Sequence, residues 1–184
     1  MTKVAVLLAP GFEEIEAVSV VDILRRAGVE VVLAGVEPDA QGGVQGAHGL
    51  TLLTDCLLED LNTDDLAMVV YPGGMPGSSN LAASEGARLL GQAVCEKGGW
   101  AAAICAAPIV LAAAGLLEGV EYTCYPSFEK KISAGKYTGA RVQVCGKIIT
   151  ACGPGAAVDF AFALLRALGL EKEAQKLHRD MLIA

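Results

Sequence analysis

The chain has 184 residues, enough for one well-packed α/β domain, and 53% of them are hydrophobic, so a sizeable core can form. Its 21 acidic residues against 14 basic ones give a net charge of −7, which argues against nucleic acid and against anionic membrane surfaces as partners.

Taken in chain order, the run KVAVLLA (3–9) is continuously apolar, as a strand buried on both faces should be. Residues 13–28 predict a helix with Ala17, Val20, Val21 and Leu24 on one face and Gly28 as its stop. A second strand follows at 29–36, then a small hairpin at 42–46 and 50–54. The strand LAMVVYPGG (66–74) ends in glycines, and 83–99 predicts a helix with a glycine-rich stop. An apolar strand at 100–104 reaches Cys105, and a helix with Pro108 in its first turn comes next. Residues 121–124 suggest a short strand and 126–134 a short helix. A hairpin around Gly146 spans 141–151, and helices are expected over 155–169 and 171–182. Strands alternating with helices predict a mostly parallel sheet covered on both faces, within a single domain over 1–184.

In such a sheet, sites gather beyond the carboxyl ends of the strands. Four abrupt strand ends are candidates: APGFEEIE, YPGGMPG, ICAAP and ACGPG. Cys105 sits on one of them, at the entry to a helix whose free N–H groups favour a thiolate. Its pKa is therefore expected below the free value of ~8.5. Position and composition leave two readings open, a nucleophile at a strained turn or a small residue of an alanine-rich core. Glu16, flanked by apolar residues one turn into its helix, is a candidate proton donor; Glu13 and Glu14 suit the helix dipole. Gly73 and Gly74 allow close backbone approach and could hold an oxyanion, or they simply serve a turn. Cys152 precedes Gly153, Pro154 and Gly155; it reads first as a merely partly buried residue, and could otherwise share the pocket as a ligand contact or a resolving thiol. Cys56, Cys95, Cys124 and Cys145 read as structural.

The six cysteines form no CxxC and lie far from His48 and His178 in sequence, so no zinc or other metal site is expected. Free thiols and a reducing cytoplasm fit better than disulfides. The stretch 100–117 is broken by Pro108 and Gly115, and acidic residues follow the first apolar run too soon for a signal peptide. No P-loop lysine and no GxGxxG opening a helix are present. His178 is expected on a solvated helix face and His48 in an exposed turn. Cys105 is followed by Ala106, which leaves a cysteine hydrolase without an adjacent base.

Together, VAVLLAPGFEEIEAV, VVYPGGMPG, AAAICAAP and ACGPGAAVDFA resemble the ThiJ/PfpI superfamily, specifically its DJ-one clade, in order and spacing over nearly the whole chain. The resemblance implies a flavodoxin-like three-layer α/β sandwich with a mostly parallel central sheet, a nucleophile elbow at Cys105, and a homodimer. It places the reactive cysteine on Cys105 and the proton-holding glutamate on Glu16. It places N–H groups on Gly73, Gly74 and Ala106, and pocket lining on Gly153, Pro154 and Gly155. The chain departs from the clade at Ala106 and Tyr125, where some members carry histidine, at His48, where an arginine is common, and at Cys152, often larger and polar. The implied function is stress protection by cysteine chemistry on reactive aldehydes, of glyoxalase or deglycase type, without metal or organic cofactor. The alternatives are an oxidative-stress sensor or redox-regulated chaperone working through a Cys105 sulfinate, and a cysteine peptidase or amidase. The expected partners are a small aldehyde or a glycated protein.

Overall fold

The computed structural model describes residues 2–183. In chain order it contains β1 (Lys3–Leu8), α1 (Glu14–Arg26), β2 (Glu30–Gly35), β3 (Gly43–Gln45), β4 (Thr51–Leu53), β5 (Cys56–Leu57), β6 (Leu66–Tyr71), α2 (Gly77–Ala83) and α3 (Glu85–Glu96). Then follow β7 (Trp100–Ile104), α4 (Pro108–Ala113), β8 (Glu121–Tyr122), β9 (Lys136–Tyr137), β10 (Val142–Cys145), β11 (Ile148–Ala151), α5 (Ala157–Ala167) and α6 (Glu171–Asp180). The main sheet has seven strands in the order β10-β11-β7-β6-β1-β2-β5. All its pairs are parallel except β10 with β11.

Alternation along each strand feeds two cores. On one face Val4, Val6 and Leu8 of β1 pack with Val20 and Leu24 of α1, Phe160 and Leu164 of α5 and Ala174 of α6. On the other, Ala5 and Leu7 meet Leu81 of α2, Leu90 and Val94 of α3 and Leu111 of α4. Ala101, Ala102 and Ala103 of β7 are fully buried, and their small side chains let helices approach closely on both sides. The result is a flavodoxin-like three-layer α/β sandwich with a mostly parallel central sheet.

Most expected elements are present, and the differences have local causes. A separate helix, α2, precedes the one expected over 83–99, because Ser84 ends α2 and its hydroxyl accepts from the Ala87 N–H at 3.3 Å to start α3. The expected helix over 126–134 shrinks to a 3-10 turn at Phe128–Lys131, after Ser127 takes φ 78°. The strand over 121–124 is confined to β8, which pairs with the unexpected β9. His178 is half-buried, its ring edge-on to Phe162 at 5.4 Å, rather than on a purely solvated face.

Candidate active site

The order β2-β1-β6-β7 puts a topological switch point between β1 and β6. The chain leaves β1 toward one side of the sheet and later returns on the other, which opens a crevice at the strands' carboxyl ends. Two of the four candidate strand ends are tied together there. The Glu13 N–H donates to the Gly73 carbonyl at 2.9 Å, and the Gly77 N–H donates to the Gly11 carbonyl at 3.2 Å. The other two are tied to each other, where the Cys105 N–H after β7 donates to the Ala151 carbonyl at 2.9 Å.

Cys105 occupies the left-handed region, φ 63°, between β7 and α4. Its N–H is held by Ala151, and its carbonyl accepts from the Tyr125 N–H at 2.8 Å. With both backbone groups committed, the elbow is fixed and the side chain stands at the sheet edge, half-buried rather than sealed. Pro108 begins α4, where its missing N–H does no harm.

Glu16 is fully buried on α1. Its Oε2 accepts from the Gly73 N–H at 2.7 Å, whereas Oε1 has no hydrogen-bond partner among the described residues. Gly73 is wedged between the acid and the thiol: a Cβ there would stand 2.5 Å from Glu16 Oε2 and 2.6 Å from the Cys105 Cβ. Gly74 meets a different demand. Its φ is 88°, and a Cβ would stand 2.4 Å from the Glu13 nitrogen. The two glycines therefore divide the work. The Gly73 N–H is committed to Glu16, while the N–H groups of Gly74 and Ala106 serve the sulfur.

Burial raises the Glu16 carboxyl to about 7, against the pull of the Gly73 N–H and the neighbouring thiol. Burial and the Glu16 carboxylate push the Cys105 thiol up to about 12, and the N–H groups of Gly74 and Ala106 only partly oppose this. The expected depression by the helix end is thus not met. α4 has only six residues and starts three positions beyond the sulfur, so its dipole is small. Acid and thiol form one coupled unit: a first proton leaves near 7, and the second leaves only against an existing negative charge.

At the rim, the Tyr125 side chain is half exposed and its ring lies against Gly153. Cys152 is half-buried, and its N–H donates to the Arg141 carbonyl at 3.1 Å. Pro154 opens a 3-10 turn into α5, and Gly155 faces solvent. The sequence offered no signal for Arg141, whose guanidinium reaches both the Gly155 carbonyl and Asp159 and so secures this loop. His48 is placed elsewhere. Its ring Nδ1 lies 2.9 Å from Glu14 and 3.4 Å from Glu13, and its side chain is 70% exposed. The donor atoms of these three residues lie within 4.8 Å of one another. Glu14 also accepts from the backbone N–H of His48 at 2.7 Å, so its carboxylate is already spent on holding the β3–β4 turn. No helix among the described residues is long and apolar enough to cross a membrane.

The DJ-1/PfpI family model matches residues 2–167. The chain belongs to that family. This DJ-1/PfpI chain is 38% identical over 94% of its length to protein DJ-1 homolog B of Arabidopsis thaliana, and it spans only 40% of that relative. It is 32% identical to the glutathione-independent glyoxalase DJR-1.2 of Caenorhabditis elegans, covering 99% of this chain and 97% of the relative. Among solved structures it is similar to oxidized Toxoplasma gondii DJ-1, with a TM-score of 0.93, 37% identity and full coverage of both chains.

Proposed function

We propose that this DJ-1/PfpI chain is a stress-protective protein that consumes reactive aldehydes through the Cys105 thiolate, with Glu16 as its proton carrier. One observation carries the reading: Glu16 is fully buried beside the Cys105 thiol, and its Oε1 has no hydrogen-bond partner among the described residues. A proton on Oε1 removes the cost of an unsatisfied buried carboxylate and gives the sulfur a third donor. Above the first ionisation near 7, the single remaining proton then resides on the acid and the charge on the sulfur. The glyoxalase name of the nematode relative supports the same chemistry.

For methylglyoxal, the thiolate adds to the aldehyde carbon. A C–S bond forms and the carbonyl electrons move to oxygen, near the N–H groups of Gly74 and Ala106. Glu16 gives that oxygen its proton, leaving a hemithioacetal. The carboxylate then takes the hydrogen from the former aldehyde carbon as a proton and returns it to the neighbouring carbon, while the hydroxyl proton passes to the neighbouring carbon's oxygen. Water cleaves the resulting thioester, lactate leaves, and the thiol is restored. Glycated cysteine, arginine or lysine adducts enter the same scheme once the thiol, guanidine or amine has departed and the aldehyde is regenerated. No metal or organic cofactor has a task in this scheme.

The test is lactate production from methylglyoxal by the purified chain. Cys105→Ser is expected to abolish it, and Glu16→Leu to reduce it roughly 10²- to 10⁴-fold, the usual worth of a positioned acid–base group. Full turnover by Cys105→Ser would end the proposal. A second reading, oxidant sensing, is favoured by the partial exposure of the same sulfur and by a similar structure solved in oxidized form. The peptidase reading has no support from Ala106, which offers no base.

We further propose that the chain acts as one domain, in the cytoplasm and as a homodimer. Its surface carries Ile15 and Val18 of α1 beside Leu50 and Leu53 of the hairpin, between 44% and 69% exposed. A concavity beside them is lined by Val18, Val21, Leu33 and Leu52 together with Asp22 and Arg25. Exposed apolar side chains around such a concavity are suited to a second copy.

A further inference from the structure

The pairing of β7 with β11 runs from Ala101 opposite Ile148 to Ile104 opposite Ala151, and the Cys105 N–H closes it on the Ala151 carbonyl at 2.9 Å. The residue immediately beyond each strand is a cysteine: Cys105 after β7, Cys152 after β11. The last paired residues, Ile104 and Ala151, are lateral neighbours about 4.8 Å apart, so the two cysteines leave the sheet from neighbouring positions, close to the roughly 4.4–6.8 Å Cα separation that a disulfide spans. Both thiols are free, both are partly exposed, and both pack against the same core cluster. We infer that Cys152 is the resolving thiol of Cys105, so that a hydroperoxide converts the pair into a reversible intrachain disulfide. This rests on the reading of Cys105 as the reactive thiol.

The chemistry closes without further partners. The Cys105 sulfur attacks the peroxide: an S–O bond forms, the O–O bond breaks, and water or an alcohol leaves. The sulfur of Cys152 then attacks that of Cys105; the S–S bond forms and the S–O bond breaks. The departing hydroxide takes the Cys152 proton as water. Two thiols are oxidised and one hydroperoxide is reduced. A cellular dithiol reverses the step, so the catalytic sulfur is spared the irreversible sulfinic and sulfonic forms.

The other cysteines are poorly placed. Cys145 pairs with Ile148, at the opposite end of β11. Cys56 lies on the far edge strand and Cys95 on α3. Cys124 is near in chain terms, since the Tyr125 N–H donates to the Cys105 carbonyl, but it is fully buried and burial pushes its thiol up to about 11.

The experiment is peroxide treatment of the full chain, followed by non-reducing peptide mapping and by lactate assay before and after a dithiol. The expected product has lost two hydrogens, joins the peptides of Cys105 and Cys152, and regains aldehyde turnover on reduction. In Cys152→Ser, and equally in Cys152→Ala, Cys105 should accumulate sulfinate about tenfold faster and lose activity irreversibly. Sulfinate forming at the same rate with and without Cys152, and no joined peptide, would overturn the inference while leaving the thiolate reading intact. A link from Cys105 to Cys124 would overturn it too. A Cys105 that reacts with neither peroxide nor iodoacetamide would remove both readings at once.

Discussion

A cysteine held at φ 63° sits where its Cβ crowds its own backbone, at a cost on the order of 1–2 kcal/mol. Glycine has no such cost, so Cys105→Gly should melt higher than Cys105→Ala, by up to about 1 kcal/mol in unfolding free energy, while both are inactive. The reverse order in urea denaturation would show that the elbow carries no strain. Gly73 makes the complementary case. Its backbone lies outside the left-handed region, yet Gly73→Ala drives a methyl into both Glu16 and Cys105. That variant should fold and lose thiol reactivity, which mass spectrometry of iodoacetamide adducts would read. If Glu16 carries the proton, wild-type alkylation should titrate near neutrality, and Glu16→Leu should move that midpoint up by about one unit or more. A wild-type midpoint near 9 would leave the proton on sulfur. The sequence made Cys105 visible as a strand-to-helix junction but left its role open. Glu16 was harder to read, because its burial and its link to Gly73 join segments far apart in the chain.

At the scale of elements, the β3–β4 hairpin is held onto α1 by one carboxylate. Glu14 accepts from the His48 N–H and faces the His48 imidazole. Burial pushes Glu14 up, but the His48 ring and the turn N–H groups outweigh it and hold it low. The same contact holds His48 above its ordinary 6.5. The His48 contribution is therefore complete below 6.5 and fades as pH rises through the elevated value. His48→Ala should speed amide exchange in the turn around Gly46 and Leu50 at about pH 6, with the difference vanishing near about pH 9. An effect independent of pH would mean that the ring acts by packing alone. The long elements were legible because burial on a fixed face leaves a periodic trace. β5 and β9, two residues each, are too short to leave one, and α2 opens with Gly-Ser-Ser-Asn, a run with the composition of a loop.

For the whole molecule, the buried Glu16 makes stability depend on pH with a definite sign. The first proton of the coupled Glu16–Cys105 pair leaves at about 7 in the fold, above the ordinary 4.5 of a free carboxyl, so the pair's contribution is full below 4.5 and is lost as pH rises through 7. The difference is on the order of 3 kcal/mol. Urea midpoints of the wild type should fall across that window, and those of Glu16→Gln should stay level; parallel slopes would refute the assignment. If the exposed apolar side chains of α1 and the hairpin receive a second copy, Val18→Glu should sediment as a monomer where the wild type does not. The four strand ends could be recognised in the sequence, but their meeting point depends on strand order, which periodicity does not encode. That order has a practical consequence. Glu16, Gly73 and Cys105 follow three different strands, so no fragment of the chain contains the reactive centre before β1, β6 and β7 lie side by side. Rapid labelling of Cys105 in a refolding chain would thus act as a clock, starting only when the middle of the sheet has closed.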